Sequence, residues 1–269
     1  MNILFLGDIY GKPGSELLKR NLKHLIKEFS VDFCIANFEN LADGRGVTEK
    51  CAKLAFSAGV DFATGGNHLW DKADSLTYLK EEKRICKPMN YPKPEIGQEF
   101  IKISWKDKNL IIANLAGQSF MPPADSPFET IDAFLADKSL DNNIIIVDFH
   151  AEATAEKRAL GWFLDGRVSA LLGTHTHVQT ADEQILPHGT AYITDVGMTG
   201  GHDSVIGVQK DVILDAIKDG IHRPYMVSQR GLEINGVVIE LDDITNKAIK
   251  IIRIRRCFDG ENSKSQTFN

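Results

Sequence analysis

The run Asn142-Asn143-Ile144-Ile145-Ile146-Val147-Asp148-Phe149-His150 limits most severely how this chain can fold. A β-branched stretch of strand length, bounded by polar residues, reads as a buried parallel strand. The histidine at its carboxyl end then falls where open α/β sheets bind ligands. A second run ends shortly afterwards in Gly173-Thr174-His175-Thr176-His177. Packing is a poor explanation for imidazoles gathered on adjacent strand ends, whereas neutral imidazole is a common ligand of divalent metals.

The first third of the chain repeats the grammar with oxygen donors. Ile3 to Leu6 is expected to be a strand that stops at Gly7-Asp8, and Phe33 to Phe38 one that stops at Glu39-Asn40. Phe62 to Thr64 stops at Gly65-Gly66-Asn67-His68. Helical patterns separate these strands, one from Ser15 to Phe29 behind a Ser15 cap and one from about Thr48 to Ala58, which is the spacing of βαβ units. Asp8, Glu39, Asn67, His68, His150, His175 and His177 therefore belong on one rim.

Further along, Asp71 to Leu79 is expected to be helical and Lys87 to Pro94 a proline-punctuated connection. Phe100 to Trp105 and Leu110 to Leu115 read as strands about a turn at Lys106 to Asn109. A Pro/Ser/Gly-rich loop near 117–127 precedes short helices from Ile131 to Ala136 and Thr154 to Phe163. After Thr190 to Asp195 the pattern turns antiparallel, and Leu232 to Ile239, with Asn235-Gly236 at its centre, carries the signal of a tight hairpin. Lys250 to Arg256 reads as an outer strand whose arginines, Arg253, Arg255 and Arg256, form a solvated face. No linker or repeat divides the chain, so residues 1–258 are expected to be one α/β domain and 259–269 a frayed tail.

Composition excludes several classes of function. A formal charge of −6 argues against a broad footprint on long nucleic acid, which needs clustered positive charge. Gly7 and Asp8 end the first apolar run too early for a secretion signal, which points to the cytoplasm and to no membrane partner. Cys34, Cys51, Cys86 and Cys257 show no Cys-x-x-Cys spacing and read as reduced thiols. His24 and His222 read as surface residues.

Asp8 and Glu39 are hard anionic donors, Asn67 a neutral oxygen donor, and His150, His175 and His177 nitrogen donors. That is too many for one tetrahedral ion and suits two divalent ions about 3.5–4 Å apart. Set against two carboxylates, the ions would leave a net positive site that attracts phosphate. Gly7-Asp8, Glu39-Asn40, Gly66-Asn67-His68, His150 and Gly173-Thr174-His175-Thr176-His177, in that order, resemble the calcineurin-like metallophosphoesterases. Within them the chain is most similar to the YmdB-type branch of bacterial phosphodiesterases, over nearly its whole length.

The resemblance implies a sandwich of two mixed β-sheets flanked by helices. It also implies hydrolysis of small phosphodiesters, including 2′,3′- and 3′,5′-cyclic nucleotides, by metal-activated hydroxide. Asp8, Glu39 and His177 would hold one ion and Glu39, Asn67, His150 and His175 the other, with Glu39 shared. Asn40 would sit beside the first ion or the substrate, and His68 would be the general acid. Iron or manganese is expected first, and zinc or magnesium also suits mixed N/O donors. Tyr10 and Glu39 stand where many members of the superfamily have His and Asp, and both fit the YmdB-type branch.

Arg45 and His202 are further candidates for the substrate phosphate, each on a glycine-rich stretch (Gly44 to Gly46, Gly197 to Ser204) expected to form a flexible wall. Asp71, three residues after His68, is the candidate carboxylate to steady it. A homo-oligomer is compatible with all of this. Two further readings stay open: a nuclease or RNA-processing regulator, and a nucleotide-binding regulator with weak turnover. His-x-His also occurs in metallo-β-lactamases, but Gln179 and Thr180 stand where that motif needs Asp and His.

Overall fold

The computed structural model describes residues 1–92, 95–258 and 265–267. In chain order the first half comprises β1 (Asn2–Ile9), α1 (Gly11–Glu28), β2 (Phe33–Asn37), α2 (Glu49–Ala58), β3 (Phe62–Thr64), α3 (Ala73–Glu81), β4 (Ile85–Cys86), β5 (Phe100–Trp105), β6 (Lys108–Ala116) and α4 (Pro127–Leu135). The second half comprises β7 (Ile144–His150), α5 (Thr154–Leu164), β8 (Ala170–Thr174), β9 (Gln184–Ile185), β10 (Ala191–Ile193), β11 (Met198–Gly201), α6 (Lys210–Asp219), β12 (Leu232–Leu241), β13 (Ala248–Cys257) and β14 (Ser265–Thr267).

Two mixed sheets result, one ordered β14-β13-β12-β11-β1-β2-β3-β4 and the other β5-β6-β7-β8-β10-β9. Residue alternation sets the layers. Ile3 and Phe5 of β1 face inward and meet Ile112, Ile146 and Leu172 of the second sheet. Leu4 and Leu6 face the other way, onto Leu18 and Leu22 of α1 and Ala55 of α2. Across the molecule Ile111, Ile145 and Val147 pack outward against Leu160 of α5 and Ile131 of α4. Both faces of each central strand are thus covered, which is why these strands are apolar throughout instead of alternating.

β1, β2, β3 and β4 run parallel, as do β6, β7, β8 and β10. The rim is built from the two mixed sheets that the resemblance implies: Asp8, Glu39 and Asn67 come from the carboxyl ends of the first, and His150, His175 and His177 from those of the second. None of the helices among the described residues is long and apolar enough to cross a membrane.

Several local expectations are corrected. Asn235-Gly236 is not a hairpin turn but the middle of β12. There the strand leaves β11, to which Leu232 and Glu233 are bonded, and joins β1 with Gly236 opposite Leu6. A Cβ on Gly236 would lie 2.9 Å from the Phe5 carbonyl, so the glycine permits close approach, not a reversal. The chain instead reverses between β12 and β13, where Asp242 N–H donates to the Lys247 carbonyl.

α1 begins at Gly11, four residues before the expected cap, and the Ser15 hydroxyl donates to the Gly11 carbonyl from inside the helix. The arginines of β13 are not a free solvated face: Arg255 is bidentate to Glu233, Arg253 pairs with Glu183, and the largely buried Arg256 with Glu28. Part of the expected tail, β14, pairs with β13; residues 259–264 and 268–269, and 93–94 of the proline-rich connection, lie outside the described residues.

Candidate metal centre and phosphoester site

Two groups of donor atoms lie at the carboxyl rim, Glu39 with His150 and His175, and Asp8 with Glu39 and His177; within each, the atoms lie within 4.8 Å of one another. Glu39 is common to both. Asn67 Oδ1 is 3.1 Å from His150 Nε2, which also lies 3.1 Å from Glu39 Oε2 and 3.0 Å from His175 Nδ1. On the other side, Asn40 Oδ1 is 3.1 Å and Asp8 Oδ1 3.8 Å from His177 Nε2.

The outward nitrogen of each imidazole is occupied, and that assigns its tautomer. His150 Nδ1 lies 2.9 Å from the Thr174 hydroxyl, whose own proton goes to Asp148 Oδ1 at 2.6 Å, so Thr174 accepts from His150. His177 Nδ1 donates to the Ile206 carbonyl at 2.8 Å, and His175 Nε2 faces Glu152 Oε2 at 3.3 Å. Each ring therefore turns its remaining nitrogen inward. The Asn40 amide is fixed in the same sense, because its Nδ2 donates to the Gly44 carbonyl and leaves Oδ1 inside. Asp8 Oδ1 is buried and has no hydrogen-bond partner.

Lone pairs facing lone pairs at these distances call for a shared cation or proton. The electrostatics agree. Burial pushes the Asp8 carboxyl well above the usual carboxylate range, against the pull of His150 and with Glu39 adding to the rise. Burial would raise Glu39 too, but His150 and the His68 backbone N–H hold it well below that range. Burial disfavours a charged His150, yet Glu39, Asp8 and Asp148 outweigh it and push the imidazole up to about 9. His175, buried beside His150, is pushed down to about 3. The donor set fits divalent metal, with mixed nitrogen and oxygen ligands, outer partners for every histidine and an orphaned carboxylate oxygen.

The backbone leading to the histidines is unusual. His175 has φ 97° and His177 φ 66°, left-handed conformations that L-residues with side chains seldom adopt. The turn is held from below by the buried Lys157 of α5, which donates to the Thr174 carbonyl at 2.7 Å and to Asp195 Oδ2 at 2.8 Å. The same Asp195 oxygen accepts from the Thr176 N–H and hydroxyl. Behind β7, Asp148 collects Asn37 Nδ2, Thr64 and Thr174. Lys157, Asp195, Asp148, Thr174 and Glu152 carry no metal-ligand motif of their own in the sequence. Asp148 and Glu152, each two residues from His150, were findable as strand-face and rim neighbours; the Ile206 carbonyl, a backbone atom, leaves no sequence signal.

His68 stands at the mouth with Nδ1 2.9 Å from Asp71 Oδ2, and Arg45 Nε donates to that oxygen at 2.9 Å. His68 and Arg45, with Tyr10, Asn40, His175, His177 and Tyr225, line a cavity of about 300 Å³. His202 is not brought to it. Its Nε2 faces the Met198 carbonyl at 3.0 Å and its Nδ1 lies 3.8 Å from Glu233. The stretch expected to be a flexible wall contains β11, a buried strand parallel to β1, so His202 follows a fixed backbone away from the rim. Tyr10 packs edge-on against His177 with ring centroids 5.3 Å apart.

Gly66 is pressed against both donor groups: a Cβ there would come 2.2 Å from Glu39 Oε2 and 2.4 Å from His150 Nε2. Gly66→Ala is therefore expected to displace the shared carboxylate and to lower bound metal below one ion per chain. Plasma emission analysis of protein whose circular dichroism matches the wild type checks it, and an undiminished metal content would show that the cradle is not as tight as drawn.

A two-sheet α/β sandwich with carboxylate, amide and imidazole donors gathered at its strand ends is the architecture of the metal-dependent phosphoesterases. This chain belongs to the YmdB-like protein family, which it matches over residues 4–254. It is 43% identical over 254 residues to a 2′,3′-cyclic-nucleotide 2′-phosphodiesterase of Bacillus subtilis (strain 168), covering 94% of this chain and 96% of that protein. A crystal structure described as a novel phosphatase from Mycoplasma pneumoniae superposes with TM-score 0.91 at 36% identity, covering 96% of this chain and 93% of that one. A crystal structure described as a hypothetical protein from Thermus thermophilus superposes with TM-score 0.89 at 35% identity, over 96% of this chain and 99% of its own.

Proposed function

We propose that this protein is a dinuclear metal-dependent phosphodiesterase acting on small phosphodiesters, nucleoside 2′,3′-cyclic phosphates foremost. The observation that carries the reading is Glu39, buried, common to two donor groups and lining the cavity together with His175 and His177. Asp8, Glu39 and His177 would hold one ion and Glu39, Asn67, His150 and His175 the other, with Asn40 beside the first; iron or manganese suits these donors best. Bound there, such ions would acidify water and neutralise the non-bridging phosphate oxygens.

The chain's own residues do the rest. His68 receives orientation from Asp71, which accepts from Nδ1 and leaves Nε2 to protonate the leaving oxygen. Arg45, locked to the same carboxylate, presents its remaining N–H groups to the phosphate. Outer acceptors keep the three imidazoles from turning.

The relative's named substrate and the volume of about 300 Å³ favour a cyclic mononucleotide over a polymer. The test compares kcat/KM on 2′,3′-cyclic nucleotides, 3′,5′-cyclic nucleotides and an RNA oligomer across a salt series. The 2′,3′-cyclic compounds are expected to be the best substrates, with little salt dependence. An RNA oligomer that was best, and whose binding fell steeply with salt, would replace this reading with a nuclease.

A further inference from the structure

The cavity has two unlike walls. Glu39, Asn40, Arg45, His68, His175 and His177 make one, polar and charged; Tyr10, Ile206, Val208 and Tyr225 make the other, aromatic and aliphatic. The catalytic reading uses the first wall and leaves the second without a task. Yet the second wall ends in two large side chains left open, Ile206 at 53% and Tyr225 at 56% exposure.

The backbone around them is hydrogen-bonded. Val208 and Tyr10 are buried together with Met198 in a small cluster of their own, against which Ile213 and Val227 pack. Val205 and Val208 exchange backbone hydrogen bonds, Ser228 N–H donates to the Gly207 carbonyl at 2.8 Å, and Gln209 N–H donates to Met226 at 2.7 Å. Ile206 is held at φ 46°, a conformation that β-branched residues almost never adopt without cause. Its carbonyl thereby reaches His177 while its side chain is left at the opening. The Tyr225 ring is braced edge-on by His222, with centroids 5.8 Å apart.

From this geometry we propose that Tyr225, with Ile206 beside it, is the nucleobase platform of the site, so that the substrate is a nucleoside phosphodiester whose base lies on the Tyr225 ring while its phosphate lies against the histidines. The proposal rests on the phosphodiesterase reading above and deepens it. An aromatic ring beside a phosphate site suits a flat ring with polar edges, and such stacking accepts any base because every base has a π-face. A macromolecular partner would cover the rim but would not enter the cavity that Tyr225 lines. Tyr225 touches substrate and no reacting atom, so its effect belongs in KM and not in kcat.

The experiment compares adenosine 2′,3′-cyclic phosphate with 1-O-methylribose 2′,3′-cyclic phosphate, which has no base. In the metal-loaded wild type the base is expected to raise kcat/KM by ~10-fold or more, the scale of stacking one base on an aromatic side chain. In Tyr225→Ala the ratio between the two substrates should fall toward one through a rise in KM for the adenosine compound. Tyr225→Phe, which keeps the ring, should retain the wild-type ratio. A ratio that is unchanged in Tyr225→Ala, or lost equally in Tyr225→Phe, would overturn the assignment. Should the wild type hydrolyse neither compound, the phosphodiesterase reading falls, and the platform is judged by calorimetry with adenosine 2′-phosphate: weaker binding to Tyr225→Ala than to wild type supports it, and equal binding overturns it.

Discussion

Glu39→Gln is expected to leave one metal ion or fewer per chain and to lower phosphodiester turnover by ~10³-fold or more, the scale of several kcal/mol of lost charge stabilisation. Glu39 is buried, and an amide of the same shape can still accept the His68 N–H that Oε2 now receives at 2.9 Å. Volume and local hydrogen bonding are therefore nearly preserved, while the charge is gone. What the amide cannot do is serve two cations, because it offers one neutral oxygen where the carboxylate offers two that share a negative charge. With its oxygen kept at the Oε2 position by the His68 N–H, the NH2 group would take the Oε1 position and set donor protons where the carboxylate has a lone pair for a cation. Metal analysis of anaerobically purified protein, together with kcat on bis(4-nitrophenyl) phosphate, measures both effects. Two ions retained at wild-type affinity would show that Glu39 is not the shared ligand, and Asp8, whose Oδ1 is buried and unpartnered, would be the next residue to replace.

The site was legible in the sequence to the extent that its donors sit at strand ends. Asp8, His150 and the His175/His177 pair are each announced by an apolar run that stops, and one rim is a consequence of parallel strands. The division of that rim between two sheets follows from packing: Ile3 and Phe5 of β1 need a second inward face, and Ile112, Ile146 and Leu172 supply it. Where reading failed, a local signal was overruled by a distant neighbour. Asn235-Gly236 carries strong hairpin chemistry, but β1 and β13 both claim hydrogen bonds from that segment and hold it extended. Gly197 to Ser204 looks mobile because of its glycines, yet a Cβ on Gly201 would lie 2.4 Å from the Ser228 carbonyl, so that glycine serves close packing. His202 was misplaced for this reason. Two of the partners that orient the histidines are hidden for another: the Ile206 carbonyl and the Thr174 hydroxyl carry no periodicity to read.

His68→Ala is expected to keep both ions and still lower turnover by ~10²–10⁴-fold on substrates with poor leaving groups, the range for removing a general acid. The separation is possible because His68 meets the donor groups through its backbone. Its N–H donates to Glu39 Oε2 at 2.9 Å, and alanine keeps that N–H. The side chain instead faces Asp71 and Arg45 at the mouth, and those two remain bonded to each other without it. Loss of the imidazole should therefore leave the metal floor in place and remove the proton source above it. Nitrophenolate leaves without needing a proton, so the defect on bis(4-nitrophenyl) phosphate should be much smaller than that on an alkyl or nucleoside ester. Asp71→Asn should give a milder version of the same pattern, since it leaves the imidazole but weakens the acceptor that holds Nδ1–H outward. An equal loss on good and poor leaving groups, with metal content intact, would remove His68 from the acid role and make it a phosphate-binding residue.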